Sequence, residues 1–183
     1  HLTPFVGRED EIAALLTILS QPGMRLLTLL GVGGMGKTRL AVELARASLE
    51  RYADGIFFVA LAPLSSADAI PAAIAHALGI ATQASDLQAA VLRFLRDKQM
   101  LLLLDNVEHL LDGVGLVAEI VQAAPKVQLI ATSRARLLIY GEHVHQVDGL
   151  AYSAAVDAPA VRLFVQSARR TLSSFRLDDA NLP

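Results

Sequence analysis

The sequence lacks several features, and each absence narrows the class of protein. Cysteine does not occur among its 183 residues, which excludes disulfide bonds and thiolate metal sites and is compatible with a cytoplasmic location. No apolar run approaches the ~18 residues that a membrane-spanning helix requires. The first residues show no basic region followed by an apolar segment, so they do not resemble a signal peptide. Because the sequence also does not begin with methionine, we expect a fragment of a longer chain.

Positive charge is also scarce. Only three lysines accompany the scattered arginines, and the formal net charge is −2. A nucleic-acid-binding domain usually concentrates basic side chains on one face. We therefore expect no direct DNA binding by these residues, and any DNA binding by the parent protein to lie outside them.

The residues that are abundant predict an α/β fold. Hydrophobic residues make up 54% of the sequence and charged residues 19%, which is typical of a globular domain. Short apolar runs alternate with segments of helical periodicity, so we expect a five-stranded parallel sheet with helices on both faces. A ligand then binds at the carboxyl ends of the strands. The expected organisation is a single domain over 1–183, with an N-terminal segment and helix over 1–24, a core over 25–150, and a C-terminal helix and tail over 151–183.

Several local patterns give more detailed expectations. Residues 55–61 are continuously apolar and predict a buried strand. Asp86 is placed to cap the start of a helix. Residues 136–140 are expected to form a short helix. In the last helix, opened by Asp157 and Pro159, we expect four residues to face inward: Val161, Phe164, Val165 and Ala168.

A glycine-rich stretch, Gly31–Thr38, is the most specific motif. It reads G-V-G-G-M-G-K-T and fits G-x-x-x-x-G-K-[ST] between a predicted strand and a predicted helix. Glycines allow the backbone to turn its N–H groups toward a phosphate at the positive end of the helix. Lys37 would reach the β- and γ-phosphates, and the Thr38 hydroxyl would bind Mg²⁺. The expected nucleotide contacts are Gly31, Gly33, Gly34, Met35, Gly36, Lys37, Thr38 and Arg39.

An acid follows the apolar run Leu101–Leu104. Asp105 therefore ends a buried strand on the ligand side, where it can bind Mg²⁺, usually through water. Asn106 stands where many ATPases of this design place a second acid, and an amide cannot accept a proton. Glu108 is the alternative base, although a solvated loop acid explains it equally well. These residues thus predict nucleotide binding and leave open whether the nucleotide is hydrolysed.

The polar trio Thr132-Ser133-Arg134 follows the next strand. The Arg134 guanidinium is placed to contact the γ-phosphate and report its presence, while pairing with a surface acid is the alternative. His143 and His145 are two residues apart on a predicted strand; a half-exposed strand explains them better than a metal site. His109 is interpreted as a cap of the following helix; a catalytic role is the alternative, which no residue pattern supports.

Four segments together resemble the STAND signal-transduction ATPases of the AAA-like P-loop lineage, in the NB-ARC or AP-ATPase branch. They are Phe5–Glu9, Gly31–Thr38, Leu101–His109 and Thr132–Arg134. The version D-N-V-E-H-L at 105–110 looks most like bacterial transcriptional regulators of the LuxR and SARP types. The resemblance implies the three-layer α/β/α fold of the AAA-like (ASCE) P-loop NTPases, with strand order 5-1-4-3-2.

The resemblance also implies a switch that rests with ADP and is activated with ATP, with slow Mg²⁺-dependent hydrolysis. Val6, Gly7 and Arg8 would contact the adenine and ribose, and Arg134 matches the sensor arginine of the family. The expected catalytic residues are Lys37, Asp105, Glu108 and Arg134, and the metal residues are Thr38 and Asp105.

Further domains of the parent chain are the expected partners of this one. The family's lid and winged-helix domains would follow this fragment, and the parent chain would also carry an effector domain. We expect the fragment to be monomeric, and oligomerisation with ATP is an open expectation for the parent alone. The alternatives are a non-hydrolysing nucleotide-binding scaffold, which Asn106 favours, a small-molecule phosphotransferase, and a DNA-loading AAA ATPase.

Overall fold

A computed structural model describes residues 5–81, 86–150, 158–172 and 174–176. The helices are α1 (Glu9–Leu19), α2 (Lys37–Ala47), α3 (Ile70–Leu78), α4 (Leu87–Leu95), α5 (Val114–Ala123) and α6 (Pro159–Thr171). The strands are β1 (Leu26–Leu30), β2 (Ile56–Ala60), β3 (Leu101–Asp105), β4 (Gln128–Ser133) and β5 (Glu142–Gln146). Single 3₁₀ turns lie at Leu49–Arg51, Ala67–Ala69, Val107–His109 and Leu111–Gly113. None of the described helices has the length and apolar character needed to cross a membrane.

The chain divides into two compact units. Ala14–Val147 form one unit, which contains the whole sheet, and the described residues before 14 and after 147 form the other. In the second unit, Gly7 has φ +79, and a Cβ there would lie 2.3 Å from Cβ of Pro159. Arg8 forms an ion pair with Glu11 at 2.7 Å and donates to the carbonyl oxygen of Asp148 at 2.7 Å.

The sheet is entirely parallel. Its strand order, β2-β3-β4-β1-β5, is the predicted 5-1-4-3-2 read from the other edge, so the predicted fold class is confirmed. The three central strands are covered on both faces, as their unbroken apolar runs indicate. A buried core joins them to helices α3, α4 and α5 through residues such as Ile74, Val91 and Val117.

Three local expectations need correction. Residues 136–140 form no helix, because Leu138 has φ 58 and the Glu142 carboxylate accepts from the N–H groups of Leu137 and Leu138 at 2.9 and 3.0 Å. Strand β2 lies at the sheet edge, so Phe58 is 46% exposed rather than buried. Phe164 is 55% exposed and packs edge-to-face on Phe175. By contrast, the Asp86 cap is confirmed: its Oδ1 accepts from the N–H of Ala89 at 2.9 Å.

The strand order decides which chain segments meet at the carboxyl edge. Strand β4 lies between β1 and β3, with Leu30 in register with Ser133. The N–H of Gly31 donates to the Ser133 carbonyl at 3.2 Å, and the N–H of Leu61 donates to the Asp105 carbonyl at 3.1 Å. The glycine-rich loop, Asp105 and the segment after β4 are therefore fixed side by side.

Candidate functional site

The glycine-rich loop connects β1 directly to α2. Gly34 and Gly36 have φ 83 and 81, in the left-handed region that other residues adopt only at a cost. Gly36 is also the N-cap of α2 and supplies no side chain to the first turn. The N–H groups of that turn, at the positive end of the helix, can therefore donate hydrogen bonds to an anion.

Lys37 folds back onto this loop. Its ammonium group donates to the carbonyl oxygens of Gly31 at 2.7 Å and Val32 at 3.0 Å. Both acceptors are neutral, whereas a phosphate oxygen is charged and accepts a shorter and stronger hydrogen bond. The lysine is thus held at the loop by contacts that a phosphate can replace.

Asp105 is the centre of the polar network. Its Oδ1 accepts from the Thr38 hydroxyl at 2.7 Å and from the Thr132 hydroxyl at 2.7 Å. The structure therefore brings together the end of β3, the start of α2 and the end of β4. Thr38 and Asp105 were expected to lie together, whereas a role for Thr132 was not expected.

Thr132 also fixes the backbone beyond Asp105. Its hydroxyl oxygen accepts from the N–H of Asn106 at 2.9 Å, and the residue is only 3% exposed. Asn106 has φ 69 and ψ 57, a left-handed conformation that asparagine tolerates better than most residues. Thr132 could have been found only by knowing that β4 lies beside β3.

Thr38 and Asp105 fit a magnesium ion. The pair supplies a hydroxyl and a carboxylate oxygen, the hard ligands that Mg²⁺ prefers, while waters and phosphates complete its shell. Among the described residues no cluster of three or more histidine or acidic side chains offers a cage for another metal. The donor set therefore fits a metal that arrives with a nucleotide.

Glu108 and Arg134 form an ion pair beside the loop. The Arg134 Nε lies 3.0 Å from Glu108 Oε1, and a Cβ on Gly33 would lie 3.3 Å from Arg134 Nη2. The Glu108 side chain is 15% exposed, and its Oε2 is buried without a hydrogen bond from any described residue. Arg134 thus pairs with an acid, but this acid is the candidate base rather than a distant surface group.

A second polar chain runs through His109. The Asn106 Nδ2 lies 3.1 Å from His109 Nδ1, and His109 Nε2 lies 3.0 Å from the carbonyl oxygen of Leu64. His109 therefore contacts the residue after Asp105, in addition to lying in the 3₁₀ turn that precedes α5. Leu64 is 45 positions away, so no local sequence pattern indicates this contact.

For the other expected contact residues, contact with a nucleotide stays a prediction. Arg39 forms an ion pair with Glu43 at 2.9 Å along α2. Val6, Gly7 and Arg8 belong to the other compact unit, so their contact with adenine and ribose stays a prediction. Asp157, the expected start of the last helix, lies outside the described residues.

Known proteins resemble this chain in sequence. The NB-ARC domain family matches residues 8–155. A candidate HTH-type transcriptional regulator of Mycobacterium tuberculosis is 39% identical over 159 residues, which cover 86% of this chain and 17% of that protein. Regulatory protein AfsR of Streptomyces griseus is 28% identical over 166 residues, or 84% of this chain and 17% of AfsR. The chain therefore spans about a sixth of the length of these relatives.

Solved structures share the fold. Cdc6p from Pyrobaculum aerophilum has a TM-score of 0.67 at 18% identity, covering 93% of this chain and 52% of that one. A signal transduction ATPase with numerous domains (STAND) from Pyrococcus horikoshii, with a tetratricopeptide repeat sensor, has a TM-score of 0.55 at 15% identity. That match covers 96% of this chain and 27% of the Pyrococcus one. At such identities the likeness bears on the fold alone.

Proposed function

Since the chain belongs to the NB-ARC domain family, we propose that it is the ATP/ADP-binding core of a nucleotide-dependent switch in a bacterial transcriptional regulator. The observation that carries the proposal is the network around Asp105, which joins the phosphate-loop threonine Thr38 to the strand that leads to Arg134. Regulators act in the cytoplasm, where we expect this chain and its parent to lie. The lid, winged-helix and effector domains of that parent are its expected partners.

The glycine-rich loop binds the phosphates in this proposal. Backbone N–H groups at the start of α2 face the anion, and Lys37 exchanges the Gly31 and Val32 carbonyls for the β- and γ-phosphate oxygens. The Thr38 hydroxyl and, through water, Asp105 would hold Mg²⁺, which would supply positive charge to those oxygens. Val6, Gly7 and Arg8 contact the adenine and ribose.

The ion pair between Glu108 and Arg134 distinguishes ATP from ADP. The γ-phosphate carries more negative charge than one carboxylate, so it competes with Glu108 for the guanidinium. ADP lacks that phosphate and leaves the ion pair intact. A switch requires such a difference in contacts, because a ligand shifts an equilibrium only by its differential affinity for the two states.

Release from Arg134 also makes Glu108 available as a base. The water oxygen bonds to the γ-phosphorus as the bond from phosphorus to the ADP oxygen breaks, and Glu108 takes the proton of the water. The products are ADP and inorganic phosphate. Turnover is slow, because Asn106 at the position next to Asp105 cannot accept a proton.

Single-turnover hydrolysis tests these assignments in the 183-residue chain. Glu108→Gln should lower the rate at least about a hundredfold, the lower end of the usual contribution of a general base, with ADP affinity unchanged. Glu119→Gln is the matched control, since Glu119 lies on α5 and its two carboxylate oxygens accept from the side-chain amide of Gln88 at 3.1 and 3.0 Å. Arg134→Gln should weaken ATP binding about tenfold relative to ADP.

Two results would contradict the assignments. A rate unchanged by Glu108→Gln removes Glu108 as the base, and an unchanged ATP-to-ADP affinity ratio removes Arg134 as the sensor. Asn106 favours a second function, a nucleotide-binding scaffold without turnover. That function is established instead if the wild-type chain binds ATP and ADP and does not hydrolyse ATP.

A further inference from the structure

The contacts of His109 determine which of its ring nitrogens carries the proton. The Leu64 oxygen is a carbonyl and can only accept, so at 3.0 Å the His109 Nε2 must donate to it. In a neutral ring the other nitrogen, Nδ1, is then an acceptor. It accepts from the Asn106 amide nitrogen, which lies 3.1 Å away.

This arrangement orients the Asn106 carboxamide. With Nδ2 bound to His109, the amide oxygen is the remaining polar atom of the side chain, and no described residue donates a hydrogen bond to it. The backbone of Asn106 is held independently by Thr132 at 2.9 Å. Both the position and the rotation of this side chain are therefore fixed, immediately beyond Asp105.

We propose that His109 is a positioning residue, which turns the Asn106 oxygen toward the water that attacks the γ-phosphate; this rests on the proposed ATPase function. An amide oxygen accepts a hydrogen bond from the water without removing its proton, and leaves a lone pair of the water free to attack phosphorus. A flipped carboxamide would present an N–H donor, which would engage that lone pair instead. Asn106 thus orients the water, and Glu108 accepts its proton.

Two substitutions distinguish the hydrogen bond made by His109 Nδ1 from the one made by Nε2. In His109→Asn, the new amide oxygen can take the place of Nδ1 and keep the contact with Asn106, while the contact with Leu64 is lost. In His109→Gln, the new amide nitrogen can take the place of Nε2 and keep the contact with Leu64, while Asn106 is released. His109 is exposed, so both variants should fold equally well.

The expected single-turnover rates follow from this pairing. His109→Gln should lower the ATP hydrolysis rate about tenfold, the factor that corresponds to one lost hydrogen bond. His109→Asn should retain most of the wild-type rate, and the Kd for ADP should not change in either variant. Equal loss in both variants, or a wild-type rate in His109→Gln, would overturn the proposal, because a purely structural role distinguishes neither bond.

Nuclear magnetic resonance tests the same contact without turnover. The sequence has only two asparagines, Asn106 and Asn181, so the side-chain amide of Asn106 is readily assigned in a ¹⁵N-asparagine sample. Its resonance should move in His109→Gln and stay near its wild-type position in His109→Asn. With ¹⁵N-histidine, the neutral ring should show the Nε2–H tautomer, and Asn106→Ala should shift its Nδ1 resonance.

The hydrolysis rates and the resonances test the proposed function and the role of His109 separately. If the wild-type chain hydrolyses no ATP, the hydrolytic function is wrong, while the amide and imidazole resonances still decide whether His109 orients Asn106. If the chain hydrolyses ATP but the Asn106 amide resonance does not move in either variant, the orientation by His109 is wrong and the proposed function stands.

Discussion

Thr132 and Thr28 offer a paired test of the polar network, because the same substitution should have opposite effects on stability. Both threonines are buried, on the neighbouring strands β4 and β1. The Thr132 hydroxyl donates to Asp105 at 2.7 Å and accepts from the N–H of Asn106 at 2.9 Å. The Thr28 hydroxyl oxygen, in contrast, has no hydrogen-bond partner among the described residues. Valine matches the shape of threonine in both places.

The expected magnitudes follow from these contacts. Thr132→Val removes a hydrogen bond to a carboxylate, which should lower the free energy of unfolding by about 2 kcal/mol. It also leaves the Asn106 N–H without an acceptor, which should cost about 1 kcal/mol more. The free energy of unfolding should therefore fall by about 3 kcal/mol, and the Tm by about 9 °C for a chain of this length. Thr28→Val removes an unsatisfied buried hydroxyl and should raise the free energy of unfolding by about 1 kcal/mol.

Urea unfolding followed by circular dichroism measures both changes. An unchanged m-value with a shifted midpoint shows that stability, rather than compactness of the unfolded state, has changed. If the two variants lose the same free energy, the hydroxyl of Thr132 contributes no more than a generic buried threonine. The bridge from β4 to Asp105 and Asn106 would then not hold the site together.

Two further predictions concern stability alone. Gly113→Ala should destabilise the fold by about 2 kcal/mol, because the new Cβ would lie 2.6 Å from Cβ of Ala67. Gly115→Ala in α5 is its control and should be stabilising by about 0.5 kcal/mol, since nothing described lies within 4 Å of that Cβ; equal effects in thermal unfolding would contradict the packing. The backbone N–H of Gln99, and then Lys98, lower the pKa of Asp54, so its stabilisation is present above the unfolded pKa and lost as the pH falls through the folded pKa. Wild type should thus exceed Asp54→Asn in Tm at neutral pH, and the difference should vanish in acid; a difference that persists would contradict the linkage.

Much of the fold could be predicted because its signals are local. The apolar runs that form β1 and β3 are long enough for buried parallel strands, and the glycine-rich loop between β1 and α2 fixes a strand, a turn and a helix together. Position on the sheet is a different matter. Phe58 belongs to an equally apolar run, yet it lies on an edge strand, and periodicity does not distinguish edge strands from central ones.

The parts that were missed depend on side-chain contacts that the hydrophobic pattern does not show. The turn at Leu138 takes its shape from the Glu142 carboxylate, which replaces the hydrogen bonds of the expected helix. Thr132 reaches Asp105 only because β4 lies beside β3. The contact between His109 and Leu64 joins segments 45 positions apart. In the last two cases a side chain satisfies a group whose proximity is decided by the tertiary fold.

Nucleotide affinity is the most direct measure of the central claim that this chain is a nucleotide-binding switch core. Isothermal titration calorimetry with ADP and Mg²⁺ should show binding to the wild-type chain and none to Lys37→Ala. Lys126→Ala is the matched control, because Lys126 precedes the amino end of β4, away from the loop, and should bind as wild type does. An ADP affinity that Lys37→Ala leaves unchanged would contradict the assignment of the glycine-rich loop as the phosphate site.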